Sequence, residues 1–402
     1  SVMPHMKATL ANRLNQDLKK IQPNEIRAFD MQVSQIPDII KLTLGEPDFD
    51  TPEVVKQAAI DSIANNDSHY APGNGTVAVR QAAAHFLSDR YDLQYDPMTE
   101  IAVTVGATEA IYASLTAVLN PGDKVLIPTP TFPLYDPITL MNGGEPVHLD
   151  TSATDFVLTP KMLSAAIAEH GDAIKAIILN YPGNPTGVAY SSKQLLELAA
   201  VLADTDIIVI ADEIYSELAY DSEHRSIATY LPEQTLVLNG VSKSHAMTGY
   251  RIGFIAGPAE LMRTVGMVHQ MTVTTPSNPA MAAATVALGT EAGRRATLEM
   301  KSAYRKRRDY VVAQMRRAGF KVMNPDGAFY VYAGIPETHN TNDREFALAL
   351  AENAAVAVIP GSVFGPGGEG YIRLSYATSD AQLQEAMARI QNYMQQVQEV
   401  SE

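Results

Sequence analysis

An α/β fold is predicted for this chain, and three observations predict it. Between about residues 100 and 255, short β-branched runs alternate with helical stretches, the pattern that βαβ crossovers of a parallel sheet leave in a sequence. Beyond residue 328 a further set of alternating segments follows a long helical stretch, which implies a second sheet. A length of 402 residues with 46% hydrophobic side chains exceeds one ordinary core and fits two or three domains.

The elements follow in chain order. Residues up to about Gly45 are too few to fold alone and are expected to pack on the C-terminal part or on another subunit. Apolar runs place strands at 101–105, 124–127, 176–179, 207–211, 235–238 and 252–256. A helix over 192–203 is opened by Ser191 with Gln194 three residues on, the signature of a capping box. The stretch 258–318 reads as helical with a break at 274–279. Alternation then gives strands at 328–333, 356–359 and 371–376. A last helix runs over 380–397, where Leu383, Met387, Ile390, Met394 and Val397 form one apolar stripe behind Ser379 and Gln382.

Composition excludes several functions. A formal net charge of −15 opposes binding to nucleic-acid backbones or anionic membranes, which carry the same sign. The absence of cysteine removes disulfides and thiolate metal sites, and the nine histidines form no ligand pair, so no metal is expected. Residues 1–10 lack a signal-type apolar core and no stretch approaches a bilayer span; a cytoplasmic protein is the expectation. The sequons at Asn66 and Asn74 are then chance matches.

Chemistry-bearing residues gather at predicted strand ends. Lys243, in Gly240-Val241-Ser242-Lys243, follows an apolar run, where partial desolvation lets an amine shed its proton and form an imine. Asp212 closes the run 207–211; a carboxylate there needs a cation, such as a protonated heteroaromatic nitrogen, or else caps the next helix. Tyr215 stands three residues on, able to bond an adjacent phenolic oxygen. Ala107 and Thr108 begin a helix directly after a strand, so their backbone N–H groups can cradle a phosphate, with Ser242 and Arg251 as further donors. Asn184 lies in Asn180-Tyr181-Pro182-Gly183-Asn184-Pro185-Thr186-Gly187, whose prolines and glycines fix the turn. Arg373 sits in an apolar strand and calls for an anion. The match Gly365-Pro366-Gly367-Gly368-Glu369-Gly370 to a dinucleotide motif is discarded, because it precedes a strand and no helix follows. The remaining set describes a pocket for pyridoxal phosphate, whose ring is an electron sink once its nitrogen is protonated.

With these residues named, the chain resembles the fold-type I pyridoxal-phosphate aminotransferases of class I/II over essentially its whole length. The carriers are Ser242-Lys243 through Gly249-Tyr250-Arg251-Ile252-Gly253, Asn184-Pro185-Thr186-Gly187 and Asp212-Glu213-Ile214-Tyr215. The resemblance implies a large domain with a mostly parallel, seven-stranded-type sheet covered by helices, plus a smaller α+β domain built from both chain ends. The expected division is an arm with part of the small domain at 1–48, the large domain at 49–285 and the small domain at 286–402.

It further implies that Lys243 condenses with the cofactor and later carries a proton, and that Asp212 holds the pyridinium. Asn184 and Tyr215 would touch its phenolic oxygen. Ala107, Thr108, Ser242 and Arg251 would hold the phosphate, and Tyr70 would reach in from a partner subunit of a homodimer. Gly45, Asn184 and Arg373 would bind the substrate α-carboxylate. Two departures stand out: Phe132 at the ring-stacking position stacks without a hydrogen bond, and Thr108 stands where some aspartate-specialised relatives place a lysine. The resemblance is nearest to the bacterial aminotransferase A group, implying transfer from an aromatic or N-acetyl-diaminopimelate-like amino acid to 2-oxoglutarate. The rival expectations are a carbon–sulfur β-lyase on the same cofactor and a cofactor-sensing regulator without turnover.

Overall fold

The computed structural model of the chain describes residues 2–401. Its centre is a seven-stranded sheet in the spatial order Ile101–Val105, Ile252–Ala256, Thr235–Gly240, Ile208–Asp212, Ile174–Asn180, Lys124–Thr129, Glu145–Asp150. Neighbours are parallel throughout except at Ile252–Ala256, which runs antiparallel to both strands beside it. That strand departs from the simple βαβ reading because the loop 241–251 before it contains only a short 3₁₀ turn, Thr248–Tyr250, and no crossover helix. Without a crossover the chain can only turn back. Glu145–Asp150 was not legible as a strand. It is the sheet edge, and its residues Glu-Pro-Val-His-Leu-Asp offer no apolar run.

The inner strands are buried on both faces, as a helix-covered sheet requires. The capping box at Ser191 and Gln194 forms in both directions and opens Ser192–Leu202. The helical stretch 258–318 is three helices, Ala259–Val273, Asn278–Gly289 and Glu291–Arg317. The expected break at 274 is present, with Thr274 at φ 64°. A second break falls at Thr290, whose extended backbone and hydroxyl, accepting from Gly293 N at 3.0 Å, cap the third helix.

A four-stranded antiparallel sheet forms from Ile359–Pro360, Tyr371–Ser375, Tyr330–Gly334 and Lys321–Val322. The segment predicted as one strand over 356–359 divides. Val356–Ala357 pairs in parallel with Ile40–Lys41 of the N-terminal arm, and only Ile359–Pro360 joins the larger partner sheet. The arm therefore packs on the C-terminal part, and Ile40 and Leu42 enter the same hydrophobic cluster as Val356, Ile372, Leu374 and Ile390. The terminal helix Asp380–Ser401 buries Leu383, Met387, Ile390 and Met394 on that cluster. Among the described residues no helix is long and apolar enough to cross a membrane.

Candidate active site

Register in the large sheet brings distant sequence ends together. Asn180 pairs with Asp212, Asp212 with Leu238, Gly240 with Gly253, and Val105 with Ile252, so the chain segments leaving these positions share one edge. Ligands of open α/β sheets lie outside this edge. Gly240 is needed for the close approach, because a Cβ there would meet Ile252 O at 2.8 Å.

Lys243 follows Gly240 into the crevice. Its Nζ donates to the Gly45 carbonyl and lies 5.9 Å from the Tyr215 ring centre and 5.8 Å from that of Phe329. Burial pushes its amine down to about 8, with Glu46 pulling the other way. Asp212 is 3% exposed and accepts from the Tyr135 hydroxyl at 2.5 Å and from Ile214 N at 3.4 Å. Burial pushes its carboxyl up to about 6, and the Tyr135 bond opposes that rise. A buried carboxylate held by neutral donors beside a desolvated amine can accept a cationic ring nitrogen and an imine carbon respectively.

The turn 181–187 contains cis bonds at Tyr181-Pro182 and Asn184-Pro185. Asn184 N donates to Asn180 Oδ1 at 3.0 Å, and Asn184 Oδ1 accepts from Arg373 Nη1 at 2.8 Å. Arg373 Nη2 donates to Thr43 O at 3.0 Å, and the guanidinium lies 4.3 Å from the Tyr330 ring centre and 5.0 Å from that of Phe364. Its Nε has no partner among the described residues. A buried guanidinium met only by neutral acceptors is a receptor for a carboxylate. Tyr215 shares a hydroxyl–hydroxyl hydrogen bond of 2.8 Å with Tyr330.

Gly106, at φ 75°, turns the chain from strand Ile101–Val105 into helix Gly106–Val118. The first-turn N–H groups of such a helix have no intrahelical partner and face the crevice end of the sheet. A Cβ on Gly106 would collide with Arg251 Nη2, and one on Gly253 would lie 2.7 Å from Ala107 N. The two glycines thus let Arg251 and the helix start approach closely enough to hold one small anion between them. Arg251 adopts a left-handed backbone at φ 55°, and its Nη1 bonds Thr248 O at 2.9 Å. Glu109, one turn into the helix, is fixed below by His269 Nδ1 at 2.5 Å.

One cavity of about 490 Å³ is lined by Gly45, Ala107, Thr108, Phe132, Asn184, Asp212, Tyr215, Ser242, Lys243, Arg251 and Arg373. Tyr70 is the exception among the sequence-derived candidates: it lies off this cavity and is 94% exposed. The fold adds residues the sequence reading did not single out. Tyr135 and Tyr330 bond Asp212 and Tyr215, while Arg27, Asp30, Thr43 and Thr248 line the cavity from the arm and the lysine loop. Tyr135 carried a signal, three residues after Phe132 at a helix start; the arm residues carried none. The donor set suits pyridoxal phosphate: an anion cradle, a buried acid and a desolvated amine stand in one crevice. Among the described residues no group of three or more His, Asp and Glu is placed to hold a metal ion.

The model of the class I and II aminotransferases matches residues 37–390, and the chain belongs to that family. It is 41% identical over 381 residues to a probable N-acetyl-LL-diaminopimelate aminotransferase of Bacillus subtilis, covering 95% of each chain. It is 38% identical to an aspartate aminotransferase of Pyrococcus abyssi, covering 94% of this chain and 97% of that one. The solved aromatic aminotransferase from Pyrococcus horikoshii OT3 superposes with a TM-score of 0.86 at 37% identity, over 92% of this chain and 99% of that chain. The protein is a transaminase, and pyridoxal phosphate is its cofactor.

Proposed function

We propose that the enzyme moves the amino group of an aromatic or N-acetyl-diaminopimelate-like L-amino acid to 2-oxoglutarate in two half-reactions, the first product leaving before the second substrate enters. The observation that carries this reading is the meeting of Lys243, Asp212 and Arg373 on one cavity, each buried or desolvated and none paired with the charge it would need. Bound there, pyridoxal phosphate supplies the electron sink that stabilises negative charge at the substrate Cα. Asp212 would keep the ring nitrogen protonated, and Tyr215 and Asn184 would hold the phenolic oxygen. Ala107 N, Thr108 N, Ser242 and Arg251 would hold the phosphate, with Phe132 available to stack on the ring. Arg373, Asn184 and the Gly45 backbone orient the α-carboxylate. Lys243 Nζ, which lines the same cavity, would take the proton from Cα and return it on the other side of the C–N bond.

A bulky donor is supported by a neighbouring cavity of about 440 Å³ that shares Asn24, Ile26 and Phe132 with the first. Its wall includes Ile21, Leu134, Leu140 and Phe364. The relatives include N-acetyl-diaminopimelate and aromatic enzymes beside aspartate aminotransferases, so the cavity rather than their names favours the bulky donor. The reading extends to a cytoplasmic homodimer in which the exposed Tyr70 completes the partner's phosphate site, and to the division of the chain at about residues 48 and 285.

The test is a panel of phenylalanine, tyrosine, aspartate and N-acetyl-diaminopimelate with 2-oxoglutarate, run beside pyruvate release from cystathionine. Glutamate formation from an aromatic or acetylated donor, exceeding that from aspartate, is the expected result. Pyruvate release outpacing every transfer would assign the β-lyase instead.

A further inference from the structure

Helix Glu291–Arg317 reaches Lys243 by two routes. In its first turn the Gly293 carbonyl accepts from His245 Nε2 at 3.0 Å, and His245 stands two residues after the lysine. About 16 Å further along the helix axis, the Tyr304 hydroxyl donates to Asp48 Oδ1 at 2.9 Å. Arg307 Nη1 donates to both carboxylate oxygens of Asp48, at 2.9 and 3.0 Å. Asp48 ends the segment Gly45-Glu46-Pro47-Asp48, whose Gly45 carbonyl receives the Lys243 amine. The Thr51 hydroxyl closes the ring by donating to Ala246 O at 2.6 Å. The base of the lysine and the acceptor at its tip are therefore tied to one helix.

His245 is buried and neutral, because burial pulls its imidazole down to about 4. A carbonyl only accepts, so Nε2 carries the proton toward Gly293, and Nδ1 accepts from the Ser244 hydroxyl at 2.7 Å. Side-chain packing does not hold this loop by itself. A cavity of about 230 Å³ opens between the same segments, lined by Phe49, Asp50, Ser244, His245, Ala296 and Met300. Another of about 220 Å³ borders His245 beside Phe86 and Glu217. With two voids at His245, hydrogen bonds rather than close contact decide where the loop stands.

We infer that His245 is a positioning residue for Lys243: its bond to Gly293 fastens the lysine loop to helix Glu291–Arg317 and so sets where the amine stands. This rests on the reading of Lys243 as the imine former. The same helix packs Met300, Tyr304, Val311 and Met315 into the cluster that holds Phe329, Ile372 and Leu374. The placement of the second sheet thus reaches the lysine through this one bond.

The experiment uses the holoenzyme with His245→Phe, which keeps a ring of similar size and removes both bonds, and His245→Gln, whose amide N–H can still reach a carbonyl. The readouts are kcat, KM for 2-oxoglutarate, Tm and the pH midpoint of the cofactor's visible absorption, which follows the proton on the lysine-bound nitrogen. In His245→Phe kcat is expected to fall about 10- to 100-fold with KM within about threefold of wild type, since misplacement by about 1 Å is enough to slow proton transfer. The midpoint is expected to rise by at least about half a unit, because a loosened loop admits water to the nitrogen and favours its charged form. His245→Gln should recover most of both. An unmoved midpoint in His245→Phe, even with a lower Tm, overturns the assignment, and so does an equal loss in both variants. Lys243→Ala separates the two readings. A pH-dependent visible band that persists there defeats the reading of Lys243, whereas a band lost there but unmoved in His245→Phe defeats the role of His245 alone.

Discussion

Lys243 and Asp212 are the two side chains proposed to carry the chemistry, and each can be removed separately. Lys243→Ala is expected to lower turnover by at least about 10⁴-fold while the phosphate and ring contacts retain cofactor, read as bound phosphate after dialysis. Near wild-type activity in that variant would end the assignment of Lys243. Asp212→Ala should lose about 10²- to 10⁴-fold in kcat, because the ring nitrogen then loses its counter-charge. Tyr135 is the less obvious residue. Its hydroxyl holds the Asp212 carboxyl below where burial alone would put it. In cofactor-free Tyr135→Phe the carboxyl rises further, so the affinity for pyridoxal phosphate should fall more at pH 6 than at pH 8, read by titrating cofactor-free protein at both pH values. Equal affinities of variant and wild type at pH 6 would separate Tyr135 from the site.

At the scale of elements, the site depends on segments that approach closer than side chains allow. Strand Ile252–Ala256 passes the start of helix Gly106–Val118 at Gly253, where a Cβ would lie 2.7 Å from Ala107 N. Gly253→Ala should push the helix start away from Arg251 and weaken cofactor binding by about tenfold or more, measured by titrating cofactor-free protein with pyridoxal phosphate. The contrast is Ser191→Ala. That cap is remote from the cavity, and its loss should cost about 1 kcal/mol of stability while leaving cofactor affinity alone. If Gly253→Ala bound cofactor normally, the cradle would not depend on this approach.

At the scale of the molecule, the site stores instability that the cofactor relieves. Asp212 has a folded pKa raised to about 6, so its contribution is present below its unfolded value of 3.8 and is lost as pH rises through 6. Lys243 has a folded pKa lowered to about 8, so its contribution is present above 10.5 and is lost as pH falls through 8. Between pH 6 and 8 the cofactor-free protein carries both charges at a disadvantage, about 3 kcal/mol each by the size of the shifts. Lys243→Met should therefore raise the Tm of cofactor-free protein at pH 7 by about 2–5 °C, and the gain should vanish near pH 10.5. A lower Tm at pH 7 would mean that the Gly45 contact outweighs the desolvation.

Much of this site was readable one segment at a time. A strand's end is marked by its apolar run, and a residue at that end faces the crevice whatever lies elsewhere; Asp212, Asn184, Lys243 and the turn at Ala107 and Thr108 were legible on that ground. Local signals sufficed because strand alternation and helix capping act over a few residues. What no segment contained was which distant partner each would meet. The reversal of strand Ile252–Ala256, the edge strand Glu145–Asp150, the splitting of 356–360 between two sheets and the bonds of Tyr135 and Tyr330 all follow from pairing across the fold. Arg27 reaches the cavity only because Ile40–Lys41 pairs with Val356–Ala357 and seats the arm there. Contacts of such sequence separation are chosen by the packing of the whole chain, and the residues themselves carry no local mark of them.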